Sequence, residues 1–143
     1  MTEQPGATRR GQETGPSLQL ELNRELDAPA AARAAIGKWC PNLAGGAPRR
    51  ETLLLLVSEV VTNAVLHSQG PPDAPIRVSA RVEDERVRVE VTDAGKRFTR
   101  ASHELPRPGA CTTIGGYGLY VVDQAASSWG VDRAYGTRVW FEI

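Results

Sequence analysis

Glu59 and Asn63 are four residues apart within LLLLVSEVVTNAVLHS, the run from Leu53 to Ser68. On a helix turning about 3.6 residues at a time they stand on one face, one turn above the other. His67 extends the row by another turn. Around them lie Leu53, Leu54, Leu55, Leu56, Val57, Val60, Val61, Ala64 and Val65, too many apolar groups for a helix with one wet side. Burying an acid and an amide in such company is costly unless each finds a partner. Neighbouring backbone is one kind of partner, and a bound ligand or cation is another. Two further stretches could serve a ligand. Thr92-Asp93-Ala94-Gly95 closes a strand pattern, and Gly115-Gly116-Tyr117-Gly118-Leu119 opens a helix pattern. Glycines at a helix entrance let a phosphate approach N–H groups that have no partner within the helix; a tight turn is the commoner explanation of such a short cluster.

The elements that must position these residues follow from periodicity. Residues 1–16 contain almost no apolar side chains and are expected to form a disordered tail, leaving 17–143 as one domain. From Ser17, Leu18, Leu20 and Leu22 alternate with Gln19, Glu21 and Asn23, the pattern of a half-buried strand. APAAARAAIGKW, residues 28–39, is Ala-rich with Pro near its start after Asp27, and reads as a helix of three turns ending before Pro41. NLAGGAP breaks the chain, and the helix with Glu59 is expected from near Pro48 to Gln69-Gly70. Ile76, Val78 and Ala80, then Val87, Val89 and Val91, alternate with polar residues about a turn at Glu83-Asp84-Glu85, which predicts a hairpin. Lys96 to Gly115 has no clear period, and a connection of that length reads as a lid or binding loop, or as a disordered insertion. A helix from Gly115 to about Ser128, a turn over Ser127 to Gly130, and a hairpin of Val131 to Arg133 with Thr137 to Ile143 complete the chain. On that last strand Val139 and Phe141 face one way and Trp140 the other; Tyr117, Trp129 and Trp140 are read as packing residues.

Composition sets broad bounds. The 143 residues suffice for one core, and 17 basic residues balance 17 acidic ones with no long run of either sign. That balance argues against direct nucleic-acid or membrane-surface binding. Only Lys38 and Lys96 are lysines among the basic residues. Cys40 and Cys111 lack the spacing of a zinc or redox motif, and no apolar run approaches the roughly 20 residues that cross a bilayer. A cytoplasmic protein is the expectation.

The order and spacing of the three signals are more specific than any one of them. They resemble the nucleotide-binding module of gyrase-type, heat-shock-chaperone, histidine-kinase and mismatch-repair ATPases, the Bergerat fold. SEVVTNAVLHS and GGYGLYVVDQ are most similar to the compact branch of bacterial anti-sigma-factor serine kinases, and the resemblance covers Leu18 to Ile143. It implies a two-layer α/β sandwich, a mixed and mostly antiparallel sheet with helices on one face, and ATP held between the central helix and a lid at about residues 96–115.

Residue by residue, the resemblance implies roles. Glu59 matches the general base and Asn63 the Mg²⁺ ligand. Asp93 matches the carboxylate that accepts from the adenine amino group, and Gly95 lets the base sit close. Gly116, Tyr117 and Gly118 match the backbone cradle for phosphates, with Leu119 just inside the helix, and Thr137 matches the threonine near the adenine end. His67 receives no catalytic role. One position departs from the pattern: Arg97 stands where the family often has the second glycine of Asp-x-Gly-x-Gly. Arginine adopts positive φ less readily than glycine, so either Arg97 helps hold phosphate or nucleotide affinity is reduced.

The implied function is an ATP- and Mg²⁺-dependent serine kinase that phosphorylates an anti-sigma-factor antagonist and holds a sigma factor, as a homodimer. The alternative is a nucleotide-gated protein-binding module without phosphotransfer. A detached histidine-kinase catalytic domain is disfavoured, because His67 and His103 are the only histidines and neither has a dimerising helical hairpin around it.

Overall fold

The computed structural model describes residues 15–40, 42–68, 70–94, 116–133 and 136–143, with 116–118 by backbone alone. Residues 1–14 of the expected tail and the whole of the expected lid, with Gly95, Arg97 and Cys111, lie outside the described residues. Pro16, the last residue of the expected tail, is described and accepts from the Val82 N–H at 3.1 Å. The element order is β1 (Ser17–Leu22), α1 (Ala28–Trp39), α2 (Gly46–His67), β2 (Ile76–Glu83), β3 (Arg86–Asp93), α3 (Gly116–Ala125), β4 (Ser128–Asp132) and β5 (Thr137–Glu142). The strands form one five-stranded sheet in the order β1-β2-β3-β5-β4.

Strand alternation divides the sheet into two faces. Ile76, Val78 and Ala80, then Val87, Val89 and Val91, then Val139 and Phe141, are buried toward the helices. Leu53, Leu56, Val57, Val60 and Val61 of α2, Ala32 and Ile36 of α1 and Val122 of α3 complete that core. The expected α/β sandwich with helices on one face is therefore present. All four described strand pairings are antiparallel, so the parallel component of a mixed sheet is not found among the described residues. The chain enters β5 by reversing from β4, and that reversal leaves β5 antiparallel to β3 as well.

The other face is polar and laced with ion pairs. Arg88 donates to Glu90 and to Glu142, each at 2.9 Å. Its guanidinium also lies 4.1 Å from the centroid of Trp140, which faces away from the core as expected. Gly130, paired with Trp140 across β4 and β5, lies against that indole; a Cβ there would stand 2.7 Å from Trp140 Nε1.

Several boundaries differ from expectation. α2 begins at Gly46, because Gly45 and Gly46 take left-handed φ of 94° and 63° and let the chain turn into the helix before Pro48. It ends at His67, short of Gln69-Gly70. Ser127 to Gly130 is not a turn: α3 stops at Ala125 and β4 starts at Ser128. Tertiary bonds explain the change. Ser127 N–H donates to Glu142 O at 2.8 Å, Ser128 Oγ to Glu142 Oε2 at 3.1 Å, and Trp129 Nε1 to Asp123 Oδ1 at 3.0 Å.

Candidate functional site

α2 is the spine of the site. It packs on α1, on α3 and on the inner face of β2 and β3, which explains why its apolar residues surround the helix. The polar row expected along it is present. Glu59 and Asn63 are both half-buried, whereas His67, its last residue, is exposed. Asn63 Oδ1 is shut away from solvent and has no hydrogen-bond partner among the described residues. Native proteins satisfy nearly all such atoms, and an exception calls for an explanation such as a bound ion or water. Trp39 Nε1 is the other such atom among the described residues.

β3 and β5 supply the second wall. Asp93 continues the inward row of Val87, Val89 and Val91 to the end of β3 and is buried, at 7% exposure. Thr137, the first residue of β5, is its Cα partner in the antiparallel register. The sheet thus brings together Asp93 and Thr137, two of the expected adenine-end residues. Gly136, next to Thr137, has φ 97°, a conformation that glycine adopts without strain.

The third component is the entrance of α3. The helix begins at Gly116, so Gly116, Tyr117 and Gly118 form its first turn, where backbone N–H groups lack partners within the helix. Leu119, the next residue, is half-buried and packs against the core, anchoring that end of α3. α3 packs on α2, the helix that bears Glu59 and Asn63. Gly95 lies outside the described residues.

Residues 22–143 match the histidine kinase-like ATPase domain. The chain belongs to that family. Membership implies that the site of this ATPase-type domain takes ATP, and the residues present fit such a ligand. Asn63 offers a buried oxygen without a partner among the described residues, Asp93 a carboxylate at the inner strand end, and α3 a glycine-rich first turn. An anti-sigma F factor from Pasteuria penetrans is 32% identical over 80 residues, 54% of this chain and 53% of that protein. The chain therefore spans about half the length of that curated relative. Among solved structures, the RsbU and RsbW domains of a Mycobacterium tuberculosis protein superpose with a TM-score of 0.65 at 21% identity, over 89% of this chain and 31% of that one. The histidine kinase domain of a blue-light-activated histidine kinase from Erythrobacter litoralis gives a TM-score of 0.51 at 27% identity, over 68% and 45% of the two chains. The first of these likenesses establishes the fold alone.

One residue of the domain escaped the sequence reading. Arg24, in the aperiodic segment after β1, donates three hydrogen bonds to backbone carbonyls at the end of α2. The available signal was indirect: His67 is followed by Ser68 and not by the glycine that commonly ends a helix. Among the described residues no helix is long and apolar enough to cross a membrane.

Proposed function

We propose that this ATPase-type domain is a regulatory protein kinase that transfers the γ-phosphoryl group of ATP to a serine or threonine of an anti-sigma-factor antagonist. The observation that carries the reading is the pair on α2: an acid, Glu59, one turn before a buried amide oxygen, Asn63 Oδ1, that has no partner among the described residues. The name of the anti-sigma F factor relative supports a sigma factor as a binding partner; the antagonist as substrate and a homodimer as the assembly rest on the family resemblance alone.

Each residue then has one task. Bound Mg·ATP supplies the transferable group and the cation that offsets its charge. Asn63 offers its carbonyl oxygen to that hard cation, a ligand type Mg²⁺ prefers. Asp93 accepts from the adenine amino group, Thr137 borders the same end, and Gly95 leaves room for the base. Backbone N–H groups at Gly116, Tyr117 and Gly118 receive the phosphates at the positive end of α3, with Leu119 fixing that turn in the core. Glu59 takes the proton from the partner's hydroxyl as its oxygen bonds to the γ-phosphorus and the bond to the ADP oxygen breaks. The proton ends on the carboxylate and ADP carries the displaced electron pair.

The test is transfer of labelled γ-phosphate to a purified antagonist by wild type and by Glu59→Ala. Transfer by wild type alone, with ATP binding retained in the variant, is the expected result; absence of transfer to any antagonist overturns the kinase reading. The second reading is that ATP only gates protein binding, since a fold of this type also hosts proteins that bind nucleotide without transferring phosphate. Under that reading partner affinity depends on ATP in both proteins and no phosphate moves.

A further inference from the structure

The end of α2 nearest Asn63 is closed by a side chain from elsewhere in the chain. A helix leaves its last four carbonyls without internal partners. Here the Ser68 N–H donates to Ala64 O at 3.1 Å, and Ser68 itself is extended, with φ −61° and ψ 132°. Arg24 supplies donors to two of those carbonyls, Val65 O and Ser68 O, and to Gly70 O just beyond. Its Nε donates to Val65 O at 3.0 Å, its Nη2 to Ser68 O at 2.7 Å and its Nη1 to Gly70 O at 3.2 Å. The rigid fork of a guanidinium engages three carbonyls on both sides of the helix end at once, and its charge suits the negative end of the helix dipole.

A comparable clamp holds the opposite end. Arg49, in the first turn of α2, donates to Ala44 O at 2.9 Å and to Glu85 O and Ile143 O, both at 2.8 Å. The two clamps differ in their distance from Asn63. Val65 follows Asn63 by two residues, whereas Arg49 precedes it by roughly four turns, on the order of 20 Å.

We infer that Arg24 is a positioning residue for the cation site at Asn63. Holding the Val65 and Ser68 carbonyls fixes the height and rotation of the last turn of α2, and with them the place where Asn63 Oδ1 presents its lone pairs. Mg²⁺ demands near-ideal octahedral geometry, so this contact is more sensitive to such a shift than the contacts made by adenine. The inference rests on the reading of Asn63 as the Mg²⁺ ligand.

The experiment compares wild type, Arg24→Met, Arg24→Lys and Arg49→Met by two measurements. Amide hydrogen exchange is followed in the nucleotide-free proteins, and ATP affinity is measured by calorimetry with Mg²⁺ and with EDTA. In Arg24→Met, amides of the last turn of α2 exchange faster while those of Leu56 to Val61 do not, and the gain in affinity on adding Mg²⁺ falls about tenfold, the scale typical of lost outer-shell support. Arg24→Lys retains part of that gain, because an ammonium lacks the fork; it also provides the comparison if Arg24→Met does not fold. Arg49→Met lowers the melting temperature and leaves the Mg²⁺ gain at its wild-type value. An unchanged Mg²⁺ gain in the Arg24 variants, or an equal loss in Arg49→Met, overturns the role assigned to Arg24. Wild type that binds no ATP overturns the site reading itself, and the role with it.

Discussion

Asp93, the last residue of β3, and Thr137, the first residue of β5, are direct partners across the antiparallel pair, both on the helix-facing side of the sheet. Far apart in the chain, they form one polar end to an otherwise apolar inner face. If this is the adenine end, the nucleotide base is selected by a carboxylate that can only accept. Asp93→Asn presents an amide that donates as well. The expected outcome is ATP affinity reduced by about tenfold or more, the usual worth of a hydrogen bond to a charged group, with relative affinity for GTP increased. Competition calorimetry with the two nucleotides checks this, and an unaltered ATP-to-GTP ratio removes Asp93 from the base pocket.

Asn63 Oδ1 is buried without a partner among the described residues, so its substitution has opposite effects on stability and on binding. Asn63→Leu replaces an unsatisfied acceptor by an apolar group of similar size. Denaturant unfolding of the nucleotide-free protein is expected to show a gain of about 1 kcal/mol, the low end of the cost of one such atom. The same variant loses the Mg²⁺ dependence of ATP binding. A destabilised Asn63→Leu protein means that Oδ1 has a structural partner after all.

Glu59 stands one turn from Asn63 on the same helix and is half-buried. If it is the general base, Glu59→Gln lowers phosphotransfer by about 10²- to 10⁴-fold while leaving ATP affinity within a small factor of wild type. Single-turnover transfer measured beside calorimetry separates the two quantities. Equal losses in both assign Glu59 to binding.

Gly130 lies against the Trp140 indole, which the Arg88 guanidinium also approaches. In Gly130→Ala the new Cβ meets ring atoms at 2.7 to 2.8 Å, so the indole must move. The expected loss is about 1–3 kcal/mol, typical of overpacking, with a shift in tryptophan emission. A melting temperature at the wild-type value contradicts this account of the outer face.

Glu142 gives the sheet a defined acid response. Burial acts against its charge, but the bonds from Arg88 at 2.9 Å and Ser128 at 3.1 Å outweigh it and hold the carboxyl below its ordinary pKa of 4.5. A carboxyl depressed in the folded state contributes stability that is complete above its unfolded pKa and is lost as pH falls through its folded pKa. The stability advantage of wild type over Glu142→Gln is therefore full at neutral pH and shrinks below pH 4.5. Unfolding curves between neutrality and strong acid test this; a difference that stays constant with pH assigns the stabilisation to packing alone.

What the sequence determined by itself is local. Glu59 and Asn63 fall on one face because helix geometry acts over one turn, and strand alternation marks Val87, Val89, Val91, Val139 and Phe141 as inward without knowledge of any neighbour. The bounds of α1 were legible for the same reason: its alanines, its early Pro29 and its end before Pro41 are signals carried in cis. Tertiary structure alone decided what depends on partners distant in the chain. The β3–β5 register sets Asp93 opposite Thr137, and a slip of one residue would have turned one of them to the outer face. Ser128 to Gly130 form a strand because Glu142 and Asp123 hold them, against a composition that reads as a turn. Arg24 acquires its role only when the segment after β1 meets the end of α2. Nothing in its neighbouring residues specifies the three carbonyls it holds, because hydrogen bonds between remote backbone groups and one side chain leave no period in the sequence.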